Sequence, residues 1–127
     1  MPTLSSFDYA IIRVVPYVER EEFINAGAVL FCRTRRFLAA HIDLDRQRLA
    51  ALAPHLDPEV IQAELDLIPH ICQGAGPIGQ LSQAERFHWL VSPRSTIIQV
   101  SPVHCGLCAD PAAALDNLIE KMVRLSQ

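Results

Sequence analysis

The chain has 127 residues, of which 50% are hydrophobic and 20% are charged, and its formal net charge is −3. A chain of this length buries about two-thirds of the surface that its unfolded form exposes, so it can build a core without disulfide or metal staples. We therefore expect residues 1–127 to form a single domain. The apolar content excludes intrinsic disorder, and the acidic pI near 5.9 argues against a nucleic-acid partner.

Two features that the sequence lacks indicate the cellular compartment of the protein. The sequence has no run of about 18 apolar residues, and its first ten residues lack the basic and then apolar pattern of a secretory signal. These absences predict a cytoplasmic protein without a membrane contact. Disulfides are rare in that compartment, so we expect Cys32 and Cys72, which adjoin apolar residues, to be small buried side chains.

The first third of the chain predicts a three-strand antiparallel meander. The strands are residues 7–15, 23–32 and 37–43, which are rich in β-branched and aromatic side chains. Apolar residues on both faces of the first strand indicate a central, covered position. Pro16 is expected to end that strand, and Gly27 indicates a bulge or a close approach of another backbone.

Helical signals dominate the rest of the sequence, because apolar residues recur there at a period of 3.6. The predicted helices are residues 45–53, 57–72, 82–90 and 110–124. Three of them begin with a capping residue, namely Asp57, Ser82 or Asp110. Pro69 is expected to kink or end the second helix, because it removes a backbone hydrogen bond.

A glycine-rich loop at residues 73–80 and a compact strand at residues 96–100 separate these helices. Together with the meander, they predict an α+β fold. We expect a small, mostly antiparallel sheet of three N-terminal strands plus a later strand, with three to four helices packed on one side of it.

The glycine-rich loop contains Gly74, Gly76 and Gly79 at the spacing of a dinucleotide-binding loop. It follows a predicted helix instead of a strand, and Pro77 removes one of the backbone donors that such a loop needs. We therefore predict no nucleotide and no other cofactor.

Cys105 and Cys108 have the spacing of a redox or metal-binding pair, and they precede the helix start at Asp110. Zinc needs four ligands, and no second closely spaced pair occurs. No metal site is predicted, whereas a redox role and simple packing both remain open for the pair.

Polar residues around the last predicted strand form a candidate ligand-binding or partner-binding site. They are Arg94, Ser95, Thr96, Ser101, His104 and Gly106. A histidine beside a glycine turn and near a helix N-terminus suits an acid/base or anion-binding role, with a structural histidine as the alternative. A guanidinium with two neighbouring hydroxyls can hold a phosphate or a carboxylate, with a solvated turn as the alternative.

Several separated segments recur in one known family. They are Tyr9 and Arg13, residues 22–27, residues 76–78, residues 85–87, residues 93–96 and residues 101–106. In this order they resemble the bacterial family catalogued as domain of unknown function 3037, from Phe7 to about Leu118. The resemblance implies a small bacterial protein with no assigned activity, whose gene lies near genes for kinase-like proteins. The family commonly has threonine where this chain has Cys105, which weakens a redox or zinc role.

We hypothesise that Arg94, Ser95, Ser101, His104 and the helix start at Asp110 converge on one site for an anionic ligand or a partner. Arg13 and Asn25 are expected to lie nearby, across the sheet.

The leading functional interpretation is a non-catalytic accessory or binding module that acts with a protein partner, such as a kinase-like protein encoded nearby. No complete catalytic motif can be assembled from the sequence. The alternative is a small hydrolase or phosphoryl-transfer enzyme that uses His104 as acid/base and Arg94 as the clamp for an anionic substrate. Exposed sheet edges would also allow a homodimer.

Overall fold

A computed structural model of the chain describes residues 3–93 and 97–124. Its strands are β1 (Ser5–Tyr17), β2 (Glu22–Cys32), β3 (Phe37–Ile42), β4 (Ile98–Val100) and β5 (His104–Cys108). Its helices are α1 (Arg46–Leu52), α2 (Pro58–Cys72), α3 (Gly76–Gly79), α4 (Gln83–Leu90) and α5 (Pro111–Leu118). A 3-10 turn (Val18–Arg20) links β1 to β2, and α5 continues as a π-helix (Ile119–Val123). The predicted α+β class is confirmed.

The sheet is built around β1, which is 13 residues long. The strand order is β3-β2-β1-β4, with β5 also paired to β1, and every pairing is antiparallel. β4 and β5 share the second edge of β1: β5 pairs with residues 5–9 and β4 with residues 12–14. The predicted meander and later strand are therefore present, together with a fifth strand.

Gly27 lies at an irregularity in the pairing of β1 with β2. Ile12 pairs with Gly27, whereas Arg13 pairs with Asn25, so β2 carries one extra residue at this point. A Cβ atom at Gly27 would lie 2.5 Å from the carbonyl oxygen of His41 on β3. The sequence-based expectation of a bulge or a close backbone approach is confirmed, since both features occur here.

Helices cover both faces of the sheet, so the prediction that they pack on one side is wrong. On the face called here the first face, α1, α2 and α4 pack on inward side chains such as Ile12 and Val29. On the second face, α5 and the π-helix pack on side chains such as Ile11 and Leu30. Because β1 and β2 are apolar on both faces, each face needs its own cover.

Three local predictions need correction. Pro16 does not end β1, which continues to Tyr17; the register is irregular between Val14 and Tyr17, where a missing ladder donor is tolerated. Of the two effects expected of Pro69, the helix end is wrong, because α2 continues to Cys72, and the kink stays a prediction. The loop at residues 73–80 contains the short helix α3.

β5 was not predicted, because it contains no β-branched residue, phenylalanine, tyrosine or tryptophan, and the glycine at its centre is typical of a turn. The later strand begins at Ile98 in the structure, and residues 94–96 lie outside the described part of the chain. The capping residues Asp57, Ser82 and Asp110 are confirmed, each accepting a hydrogen bond from its own helix. Among the described helices, none has the length and apolar character needed to cross a membrane.

Candidate functional site

The sequence-predicted site falls partly outside the described residues. Arg94, Ser95 and Thr96 belong to the short stretch that is not described, so their convergence with Ser101 and His104 stays a prediction.

Ser101 lies at the junction between β4 and β5, where it is buried against β1. Its Oγ accepts a hydrogen bond from the backbone N–H of Ile11 at 2.9 Å and donates one to the carbonyl of Pro102 at 2.9 Å. Its own N–H donates to the carbonyl of Ile11 at 2.8 Å. The hydroxyl therefore supplies a ladder partner where the chain passes from one strand to the next.

His104 is the first residue of β5 and is paired with Tyr9 of β1. The two rings are tilted by 34° with their centroids 5.5 Å apart, and the ring centroids of Tyr9 and Phe7 are 5.9 Å apart. Gly106 lies opposite Phe7, where a Cβ atom would come within 2.7 Å of the Phe7 ring. These residues form an aromatic row along the sheet, in which the glycine makes room for a ring.

Asp110 does not converge with His104. The two residues lie at opposite ends of β5, and a strand rises about 3.3 Å per residue, which places His104 about 13 Å from Cys108. The Asp110 carboxylate accepts a hydrogen bond from the N–H of Ala112 at 3.0 Å and so caps α5. Its role in the described structure is local to that helix.

The strand also separates Cys105 from Cys108. Residues three apart on a strand face opposite sides and lie about 10 Å apart, beyond the roughly 7 Å limit for a disulfide. Cys105 is exposed, whereas Cys108 is buried, and burial raises the pKa of the Cys108 thiol, with a further contribution from Cys32. A redox pair is not supported. No group of three or more metal-ligating side chains is found within residues 3–93 and 97–124.

Arg13 and Asn25 are brought together as direct partners across β1 and β2. The guanidinium of Arg13 lies over the ring of Phe23, 4.1 Å from its centroid. Nδ2 of Asn25 donates to the carbonyl of Met122, at the end of the π-helix, at 2.8 Å. Nε of Arg13 and Oδ1 of Asn25 are both buried without a hydrogen-bond partner.

This Arg13–Asn25 pair is not close to His104. Tyr9, the partner of His104, precedes Arg13 by four residues along β1, a distance of about 13 Å on a strand. The second face therefore carries two separate features, the aromatic row and the Arg13–Asn25 pair.

A groove on the first face was missed by the sequence analysis. It has a volume of about 540 Å³ and lies between α2, α4 and β4, with lining residues Glu64, Leu67, Ile68, Ile71, Trp89, Ile97 and Ile98. Leu67 is 58% exposed and Trp89 is 39% exposed. One feature of the sequence could have indicated the groove: Leu67 is apolar but lies outside the buried stripe of α2. We call this feature the α2–α4 groove.

The comparisons with known proteins give one match. The family described as protein of unknown function (DUF3037) matches residues 9–123. The chain belongs to the DUF3037 family. No curated protein and no solved structure matches it.

The match confirms the resemblance seen in the sequence. In this DUF3037 protein the matched residues run from β1 to the end of the π-helix, so they include the whole sheet apart from the first residues of β1. The α2–α4 groove and the Arg13–Asn25 pair both lie within the matched part. The family description assigns neither of them a role.

Proposed function

We propose that this DUF3037 protein is a non-catalytic binding module of the bacterial cytoplasm that docks an amphipathic helix of a protein partner in the α2–α4 groove. The observation that carries the proposal is that two exposed apolar side chains, Leu67 and Trp89, line one groove that is otherwise mostly aliphatic. Exposed apolar side chains gathered in a concave surface are typical of a binding site, whereas scattered ones are not.

The shape of the groove favours a helical occupant. α2 contributes Glu64, Leu67, Ile68 and Ile71, which are spaced i, i+3, i+4 and i+7 and so form one face over two helical turns. A second helix packs its own apolar ridge against such a face. Helix-in-groove recognition uses the same spacing on the partner.

Charge on α2 indicates the polar residues of the partner. The helix contains Glu59, Glu64 and Asp66 but no lysine or arginine. Glu59 is paired with Arg46, and Asp66 accepts a hydrogen bond from Gln62, whereas Glu64 lines the groove itself. A partner helix with lysine or arginine flanking its apolar anchors complements this wall, because opposite charges across an interface fix its register.

Three residues of the sequence-predicted site are also assigned to the contact with the partner. Arg94, Ser95 and Thr96 follow α4 in sequence and precede Ile97, so we retain them as partner-binding residues. The enzyme alternative depends on His104, which is an exposed member of an aromatic row on the other face. Nothing in this position specifically supports an acid/base role for His104.

The test compares two lysine substitutions on α2. Leu67→Lys places a charge in the groove, whereas Val60→Lys changes a side chain of similar exposure (53%) on the same helix that does not line it. The wild type and both variants are tagged in the native host, and the captured proteins are quantified by mass spectrometry. The binding of each purified candidate partner is then measured by calorimetry.

We expect Leu67→Lys to weaken the binding of the purified partner by at least about tenfold, because an ammonium group is buried against apolar side chains. Val60→Lys should bind as the wild type does. The proposal fails if each purified partner binds both variants with equal affinity. It also fails if the protein hydrolyses phosphate esters and His104→Ala abolishes that turnover.

A further inference from the structure

We propose that Arg13, together with Asn25, binds a small carboxylate that carries an O–H or N–H donor beside its acid group. The site lies on the second face of the sheet and is independent of the α2–α4 groove. In the sequence-based hypothesis these two residues were peripheral to a site centred on His104, whereas the structure makes them a pair of their own.

The first observation is the cationic charge of Arg13. This arginine lies in the middle of the sheet, with Asn25 opposite it on β2 and Gln99 opposite it on β4. Among residues 3–93 and 97–124, the ion pairs do not include Arg13. Arg13 is partly buried and its Nε is fully buried, and a charge that is partly withdrawn from water without a counterion favours an anion from outside the chain.

Arg20 is an arginine of the same molecule whose charge is balanced by a carboxylate. It also stacks on an aromatic ring, that of Tyr17, with 5.3 Å between its guanidinium and the ring centroid. Its Nε is paired with the carboxylate of Glu22 at 2.5 Å. Arg13 has the stacking partner, Phe23, without the carboxylate.

The second observation is the pair of unused polar atoms. Nε of Arg13 is a donor that needs an acceptor, and Oδ1 of Asn25 is an acceptor that needs a donor. Directly opposed side chains on neighbouring strands start about 5 Å apart, so one small molecule can reach both. A carboxylate accepts from the guanidinium, and a neighbouring hydroxyl or amine donates to Oδ1.

Phe23 covers the Arg13 side of the pair. Arg13 is half-buried, its Nε is buried, and the Phe23 ring lies over its guanidinium. Phe23 is 44% exposed and belongs to neither hydrophobic cluster. A rotation of this ring would uncover the Arg13 guanidinium without disturbing either hydrophobic cluster.

The test titrates the purified full chain with sodium glycolate, sodium acetate and sodium phosphate, with sodium chloride at equal ionic strength as the reference. Binding is measured by calorimetry and by the shift in Tm. The variants are Arg13→Gln, Arg13→Lys and the matched control Arg20→Gln. Circular dichroism and the Tm without ligand establish that each variant is folded.

We expect glycolate to bind saturably to the wild type and to Arg20→Gln, and to raise Tm by about 5 °C at ten times its Kd. Acetate, which lacks the donor, should bind at least about fivefold more weakly. Arg13→Gln should lose the shift, and a folded Arg13→Lys should bind about tenfold more weakly, because it lacks the planar fork of donors.

Several results would overturn the proposal. One is the absence of a glycolate response beyond that of sodium chloride, and another is an equal response in Arg13→Gln. Saturable binding of phosphate without binding of glycolate would refute the carboxylate class. Equal affinity for glycolate and acetate would refute the role of Asn25. Neither Leu67→Lys nor Val60→Lys should change glycolate binding, which keeps this test separate from that of the α2–α4 groove.

Discussion

The two faces of the sheet are covered in different ways. Three helices, α1, α2 and α4, pack on the first face, and their side chains form a cluster that includes Leu49, Leu65 and Phe87. A single helix, α5 with its π-helical continuation, packs on the second face through residues such as Leu115 and Ile119. The first face therefore has the larger core, and the second face has less cover.

This difference explains the kind of surface that each face leaves open. Where two of these helices, α2 and α4, lie beside the edge strand β4, the space between them is lined mostly by apolar side chains, and this space is the α2–α4 groove. Where one helix ends over a sheet, the strands beyond it are only partly covered and can carry polar residues. The Arg13–Asn25 pair lies at such a point, beside the last turn of the π-helix.

The difference in core size between the two faces is tested most strongly by truncating one core side chain on each face. Leu65 is fully buried on the first face, and Leu115 is buried on the second. We expect Leu65→Ala to lower the free energy of unfolding by about 3–4 kcal/mol and Leu115→Ala by about 2–3 kcal/mol, because the first cavity is enclosed by more packed atoms. Urea denaturation measures both. An equal or larger loss for Leu115→Ala would show that the two layers contribute alike.

Gly27 tests how the side chains of β2 are divided between the two faces. The bulge at this residue determines which of them point to the first face and which point to the second. A Cβ atom there would collide with backbone of β3, whereas one at Gly106 would meet only the Phe7 ring. We expect Gly27→Ala to cost about 3 kcal/mol and Gly106→Ala about 1 kcal/mol, since a side chain yields more easily than a paired strand. Thermal unfolding of both variants checks the order, and a reversed order contradicts it.

The pH dependence of stability tests the burial of the first face. Burial raises the pKa of the Cys72 thiol from 9.0 to about 12. Between these values the unfolded chain loses the proton while the folded chain keeps it, so stability is present below pH 9 and is lost as the pH rises towards 12.

The expected slope is up to about 1.4 kcal/mol of unfolding free energy per pH unit in this window. Urea denaturation at several values above pH 9 measures it for the wild type and for Cys72→Ala, in which this contribution is absent. Parallel slopes for the two proteins would show that the thiol is not shielded from water.

Ser101 holds the point at which the second edge of β1 passes from β4 to β5. Ser101→Ala leaves the buried N–H of Ile11 without the Oγ acceptor, which we expect to cost about 1–2 kcal/mol. The control is Ser92→Ala, which removes a hydroxyl bonded to the carbonyl of His88. We expect the control to change stability by less than about 0.5 kcal/mol. Chemical denaturation compares the two, and similar losses would argue against a structural role for Ser101.

Local sequence signals were sufficient for most of the fold. The caps at Asp57, Ser82 and Asp110 were predicted because an oxygen at that position satisfies free N–H groups of the first turn. β5 was not predictable in this way, since its pairing with residues 5–9 supplies the order that its own composition lacks. The same holds for the strand end expected at Pro16 and the helix end expected at Pro69, since β1 and α2 continue past these residues.

The candidate site was predictable only in part. Arg13 and Asn25 were named from the sequence, but only their register shows that they are direct partners. His104 and Asp110 were expected to meet, and β5 separates them because an extended segment holds its ends apart. The α2–α4 groove joins residues from positions 64 to 98, a combination that no local pattern contains.

By itself, the sequence determined the size and α+β class of the molecule, the family, the helix starts and the covered position of β1. These properties follow from composition, periodicity and capping, which act over a few residues. Only the tertiary structure decided that helices cover both faces, that Arg13 faces Asn25 and that α2 and α4 leave a groove. These properties depend on pairing and packing between distant residues, and the same apolar stripe on a helix is satisfied by either face of a sheet.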